Sequence, residues 1–99
     1  MKVIFKAPGQ LPEIVEIDNT LEALQQRVGG YIETVTFAAD CCVICNEEGR
    51  LLGLPHNLDF LGVDFVGPVL VVGVAGEDFC SLPDEGVLLL LSAMGGRHG

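Results

Sequence analysis

The chain has 99 residues, of which 49% are hydrophobic, and 14 acidic against 5 basic side chains give it a formal net charge of −9. This length holds one domain with a small core, and the hydrophobic content excludes an intrinsically disordered chain. The negative charge repels nucleic acid and anionic membrane surfaces, so we expect no nucleic acid polymer and no membrane among the partners.

The N-terminal third predicts a hairpin followed by a helix. Strand-forming residues at 2–6 and 13–17 flank a Pro-Gly turn, which favours a hairpin. Asn19 is the expected N-cap of the helix, with Glu22 closing a capping box, and Gly29 suits the left-handed position that ends it. The apolar stripe of this helix, which needs a sheet to cover, consists of Leu21, Leu24 and Val28.

The middle of the chain predicts strands and turns. Residues 31–37 are rich in β-branched and aromatic side chains, and residues 41–45 form a short apolar run, so both are predicted strands. Residues 46–49 have the composition of a tight turn, from which residues 50–52 are expected to return as the second strand of a hairpin. Residues 53–62 show no clean period and predict a loop.

The C-terminal third predicts the centre of the sheet and a second helix. Residues 63–66 favour a brief strand, and residues 69–74 are the strongest strand candidate and are expected to be central. Ser81 is the expected N-cap of a helix whose residues 87–94 are apolar nearly all round. Because one small domain cannot bury such a helix on every side, we expect a homo-oligomer that forms through this segment.

These elements do not alternate as βαβ units, which favours an α+β fold. We predict a single α+β domain over residues 1–94, with residues 95–99 as a flexible tail. Its mostly antiparallel sheet of about five to six strands carries two helices, which we expect on one face.

Two features predict a cytoplasmic protein. The apolar run at the N-terminus is too short before charge and proline for a signal peptide, and the longest apolar run, residues 87–91, falls short of the roughly 20 residues of a membrane span. The four cysteines are therefore expected to be free thiols in a reducing compartment.

Cys42 and Cys45 match the C-x-x-C pattern of zinc and redox sites, with Cys41, Cys80 and His56 as further ligands in that alternative. On a strand, however, their odd separation places the two thiols on opposite faces. We therefore predict buried, inert thiols and no metal site.

The chemistry-bearing residues favour binding over catalysis. Neither His56 nor His98 lies in a pattern with a nucleophile and an orienting acid, and phosphate-binding fingerprints are absent, so we expect no enzyme and no cofactor. A polar set remains as the candidate ligand-binding group, although each member also serves as an ordinary turn or loop residue. The set is Arg27, Tyr31, Asn46, Arg50, His56 and Asn57.

Three blocks of the sequence resemble one family: IDNTLEALQ at residues 17–25, VGGYIE at 28–33, and ICNEEGR at 44–50, which leads into GLPHN at 53–57. The combination resembles domain of unknown function 3846, a group of small proteins of phages, mobile elements and Gram-positive bacteria. The resemblance implies an accessory protein and brings no established chemistry.

Small phage proteins of this size often act by binding, so two hypotheses follow from the resemblance. The first is a non-enzymatic, homo-oligomeric anti-defence sponge that sequesters a host immune-signalling nucleotide. Its pocket needs a ring to stack on a base and guanidinium groups for phosphate, which Tyr31, Arg27 and Arg50 could supply. The second is an acidic protein-binding inhibitor of a host enzyme, including DNA mimicry. A small regulatory module is a third alternative.

Overall fold

The computed structural model describes residues 1–95. Beyond Gly95, the tail predicted at residues 95–99 lies outside the described residues, and so does His98. The elements follow the chain as β1 (Lys2–Lys6), β2 (Glu13–Glu16), α1 (Leu21–Val28), β3 (Ile32–Ala38), β4 (Cys41–Asn46), β5 (His56–Phe60), β6 (Val63–Val66), β7 (Val69–Ala75), β8 (Asp78–Cys80) and α2 (Asp84–Ala93).

Six of these strands form one antiparallel sheet in the order β2-β1-β7-β4-β3, with β8 paired to the end of β7. β7 lies at the centre, between β1 and β4. Its residues Val69, Leu70, Val71 and Val72 have no exposed surface. The predicted α+β fold and the central position of this strand are confirmed.

Other elements pack on both faces of the sheet. This covering is required, because the side chains of β7 are apolar on both sides and must be removed from water. On one face, α1 packs Leu24 and Val28 against the sheet. On the other face lie α2 and the separate β5–β6 hairpin, which contributes Leu58, Phe60 and Phe65 to the core. The two helices therefore lie on opposite faces, and our expectation of a shared face was wrong.

The first helix begins one residue later than predicted. Thr20 is its N-cap, and the Thr20 hydroxyl accepts a hydrogen bond from the Ala23 amide at 3.1 Å. The Asn19 side chain instead donates to the Phe79 carbonyl of β8 at 2.8 Å. Gly29 ends the helix with a φ of +82°, as predicted.

Two predictions for the middle of the chain were wrong. Residues 50–52 lie in turns and form no hairpin with β4, because β3 and β7 already occupy both edges of that strand. The predicted loop at residues 53–62 contains β5, which pairs with β6. A register shift between His56 and Leu58 interrupts the period of two that identifies a strand.

Asn57 and Lys6 join the hairpin to the sheet. The buried Asn57 amide donates to the carbonyls of Lys6 at 2.8 Å and Gly67 at 2.7 Å. In return, the Lys6 ammonium donates to the Asn57 side-chain oxygen at 2.7 Å, and burial lowers the pKa of Lys6. The side chain of Asn57 therefore fixes the position of β5 over the end of β1.

The second helix also starts differently from the prediction. Pro83 occupies its N-cap position, and the Ser81 hydroxyl accepts a hydrogen bond from the Lys2 amide at 2.8 Å instead. Leu88 and Leu89 are 67% and 74% exposed. Neither helix of the described chain is long and apolar enough to cross a membrane.

We expect Asn57→Ala to lower the free energy of unfolding by about 2–3 kcal/mol, because the carbonyls of Lys6 and Gly67 lose the Asn57 amide and the buried Lys6 ammonium keeps only the longer bond, of 3.4 Å, to the Asn57 backbone carbonyl. Urea unfolding monitored by circular dichroism measures the change. Asp59→Asn on the same strand, where the side chain is exposed, serves as the control and should change stability by less than about 0.5 kcal/mol. Equal losses in both variants would contradict the anchoring role.

Candidate hairpin groove

A groove runs between the sheet at β3 and β4 and the β5–β6 hairpin; we call it the hairpin groove. It consists of two adjoining cavities of about 350 and 300 Å³, which share Val35, Val63 and Phe65 in their walls. The first cavity is lined by charged and polar side chains together with apolar ones. The second is lined almost entirely by apolar side chains. The groove therefore has one polar end and one apolar end.

The polar end carries more acid than base. Glu33, Glu47 and Asp64 line it, together with a single cation, Arg50. The Arg50 guanidinium donates to the Asp64 carbonyl at 2.5 Å, and its other terminal nitrogen lies 3.8 Å from the Asp64 carboxylate. Because Arg50 is already engaged by Asp64, this end favours a positively charged group.

The apolar end is built from aromatic and aliphatic side chains. The rings of Phe37 on β3 and Phe60 on β5 meet edge to face, with centroids 5.5 Å apart. Leu61, at the hairpin turn, lines the same cavity and is 62% exposed. An apolar group that enters this end would contact these side chains and be removed from water.

Leu61 has an unfavourable backbone conformation. The turn between β5 and β6 has two residues, Leu61 and Gly62, with φ values of +54° and +78°. Two-residue turns with both φ values positive are normally formed by Asn-Gly or Gly-Gly, whereas a leucine with positive φ is strained. An exposed leucine at this position, on the rim of an apolar cavity, is therefore more readily explained by binding than by stability.

A candidate ligand set for a metal lies on the β5–β6 hairpin, beside the polar end of the groove. Side-chain donor atoms of His56, Asp59 and Asp64 lie within 4.8 Å of one another, and all three residues are exposed. The His56 Nδ1 atom is 2.7 Å from the Asp64 carboxylate, and Asp59 lies opposite Asp64 in the register of the hairpin. Nitrogen and carboxylate donors suit several divalent metals, but Arg50 competes for Asp64.

The six residues predicted to bind a ligand do not line one cavity. Arg50 and Asn46 line the hairpin groove, and His56 contacts Asp64 beside it. Arg27 lies over the ring of Phe5, 5.1 Å from its centroid, and lines a separate cavity with the N-terminus. The predicted set is therefore divided between distant parts of the molecule.

Tyr31 and Asn46 share a third, smaller cavity of about 240 Å³ beside Gly29 and Gly30. The Tyr31 side chain is exposed there. Asn46 is buried: its amide donates to the Val28 carbonyl at 3.2 Å, and its oxygen accepts from the Glu48 amide at 2.8 Å. Like Asn57, Asn46 therefore holds backbone groups in place at the end of a strand.

Most of the groove residues were not among the predicted ones, including Glu33, Leu61 and Asp64. Glu33 could have been predicted from the sequence, because Glu33, Val35 and Phe37 alternate along one strand and therefore share one face. Leu61 could not be found in this way, because residues 53–62 were interpreted as a loop. Asp64 lies in a strand that was predicted, but its position beside the groove depends on the pairing of β6 with β5.

The cysteines are distributed as predicted. Cys42 belongs to the core beneath α1, whereas Cys45 belongs to the core beneath the hairpin, so the two thiols lie on opposite faces. All four cysteines are free. Burial raises the pKa of the Cys41 and Cys45 thiols to about 11, so both stay protonated at neutral pH and are weak nucleophiles.

Comparison with known proteins gives one match. A family model described as a domain of unknown function, DUF3846, matches residues 1–93. No curated protein and no solved structure matches the chain.

We expect the free energy of unfolding to fall between pH 8 and pH 10.5. The thiols of the unfolded chain, with an ordinary pKa of about 9, lose protons in this range, whereas Cys41 and Cys45 of the folded chain keep them. The unfolded state therefore binds fewer protons and is favoured as the pH rises. Urea unfolding under reducing conditions measures this change. The Cys41→Ala/Cys45→Ala variant should show a smaller fall, and an equal fall would contradict the assignment.

Proposed function

The chain belongs to the DUF3846 family, whose function is unknown, and we propose that it is a non-enzymatic binding protein that captures a basic segment of another protein in the hairpin groove. The observation that carries this proposal is the groove itself, whose acidic and apolar ends adjoin and share Val35, Val63 and Phe65 in their walls. The net charge of −9 supports it, because it accelerates the approach of a basic partner.

Binding without catalysis agrees with the state of the thiols. Cys41 and Cys45 stay protonated at neutral pH, so neither is an activated nucleophile. The protein would act in the cytoplasm. In the phage or mobile-element setting that the family resemblance implies, a natural target is a host enzyme that offers a positively charged surface.

A signalling nucleotide is the second candidate ligand. The exposed Tyr31 ring beside Gly29 and Gly30 favours it, because such a ring can stack on a base. The positions of the two arginines do not favour phosphate binding, because Arg27 lies over Phe5 and Arg50 is engaged by Asp64. A nucleotide phosphate would therefore need cations from a second copy of the chain.

We also propose that copies of the chain associate through α2. Val87 packs into the core, as does Met94 at the C-cap of the helix, whereas Leu88 and Leu89 project outward and are mostly exposed. Two adjacent exposed leucines on one helix are an apolar surface that a second copy could cover.

Panning a display library of random seven-residue peptides against the protein is expected to enrich peptides that contain Lys or Arg. Calorimetry on synthetic copies then gives their affinity. Glu33→Gln should weaken binding about tenfold and reduce its salt dependence, because it removes one carboxylate of the polar end. Glu22→Gln, which changes the net charge equally on the opposite face of the sheet, is the matched control and should bind like the wild type.

Leu61→Asn is a second variant for this experiment, at an exposed position where the change relieves backbone strain. Asparagine tolerates positive φ, so we expect a gain in stability of about 1 kcal/mol together with weaker peptide binding. A library that enriches nothing, together with heat from a nucleotide panel that both Arg27→Ala and Arg50→Ala abolish, would replace this proposal with the nucleotide hypothesis.

For the association through α2, sedimentation velocity should show an oligomer that the Leu88→Glu/Leu89→Glu variant converts to a monomer with unchanged helix content. Leu51→Glu/Leu52→Glu is the matched control, since these leucines are 87% and 60% exposed outside α2. A monomeric wild-type protein would contradict this part of the proposal.

A further inference from the structure

The outer edge of β3 runs along the hairpin groove. β3 ends the order of the large sheet and pairs only with β4, so among residues 1–95 no strand covers its other side. Val35 and Phe37 of β3 form part of the groove wall. A chain that lay in the groove beside β3 would therefore meet both its side chains and its edge.

The register determines which backbone groups point outward. The Glu47 amide donates to the Tyr31 carbonyl at 2.8 Å, so Tyr31 and Glu47 are a hydrogen-bonded pair. In an antiparallel ladder such pairs alternate, which directs the backbone groups of Glu33 and Val35 towards β4. The N–H and C=O groups of Thr34 consequently point away from the sheet, and those of Ile32 and Thr36 do so as well.

We propose that the basic segment binds by strand addition, as an extra strand on the outer edge of β3; this rests on the proposed function of the groove. Strand addition gives affinity through main-chain hydrogen bonds, and specificity through the alternate side chains that enter pockets. Here Thr34 and its even-numbered neighbours supply the main-chain groups, while the hairpin groove receives every second side chain of the segment.

The groove specifies those side chains. A residue of the added strand opposite Glu33 lies at the acidic end, beside Glu47 and Asp64, and is expected to be Lys or Arg. The residue opposite Val35, two positions further on, faces the apolar end. Beyond Thr36 the register of β3 shifts, and the next part of the segment lies near Phe37 and Leu61. Glu33 and Phe37 are about 13 Å apart along a strand, so five residues of an extended segment span both ends.

A second copy of the chain fits this edge less well than a foreign segment. β3 has the sequence IETVTFA and contains no basic residue, so the β3 strand of another copy would bring no cation to the acidic end. The occupant is therefore a basic, extended segment of a different protein.

The best peptide enriched by panning is the probe for the binding mode. Thr34→Pro removes the outward N–H without touching the bonds to β4, and proline is tolerated in an edge strand at such a position. We expect it to weaken peptide binding at least tenfold. Thr34→Val keeps the N–H and is the matched control, with an affinity within about threefold of the wild type. Circular dichroism verifies that both variants fold.

Methylation of the peptide amides, one at a time, tests the main-chain hydrogen bonds between the peptide and β3 by a change in the peptide. Strand addition predicts an alternating result, in which methylation of the amides that face β3 weakens binding at least tenfold and methylation of the others changes it less than threefold. This measurement needs no variant of the protein.

The outcomes separate the two proposals. A peptide that binds the wild type but is insensitive both to Thr34→Pro and to methylation would overturn strand addition while leaving the groove as a binding site. A library that enriches no peptide would overturn both proposals. A dimer of the wild type that Thr34→Pro dissociates would assign the edge to a second copy and overturn the foreign segment.

Discussion

The fold depends on the burial of β7 on both faces and along both edges. Its residues Val69, Leu70, Val71 and Val72 are fully buried, and burial of each such side chain contributes roughly 1.5–3 kcal/mol. Because α1 has only eight residues and covers one face, the other face needs α2 and the β5–β6 hairpin. Asn57 ties the hairpin to the end of β1, and the hairpin groove is the space left between the hairpin and the sheet at β3 and β4.

Local patterns predicted the parts of the fold that depend on local physics. The period of two placed Cys42 and Cys45 on opposite faces, and the conformational freedom of glycine placed the end of α1 at Gly29. Predictions failed where two neighbouring residues could both cap a helix, and where the pairing of a segment depends on strands distant in the sequence. Asn19 bonds β8 instead of capping α1, and residues 50–52 cannot pair with β4 because β3 and β7 occupy both of its edges.

The candidate site could be predicted only in part, for a related reason. Polar residues in turns are equally suited to binding and to holding the backbone, and the hydrogen bonds of Asn46 and Asn57 show that these two hold the backbone. The acidic end could not be predicted without the position of β6, because β6 brings Asp64 to the groove beside Glu33. A sequence pattern that misses one hairpin therefore also misses every contact that the hairpin makes.

The two outermost strands of the large sheet are unlike each other, which limits how far the sheet can grow. β2 has only four residues, and its exposed Glu13 and Glu16 discourage a further strand, whereas β3 has seven residues and one glutamate. Growth of a fibre requires that both edge strands of the sheet can pair with another molecule, because each added molecule must expose a further edge that can pair. With one receptive edge and one charged edge, this sheet would stop after a single addition, so folded molecules should not stack edge to edge into a fibre.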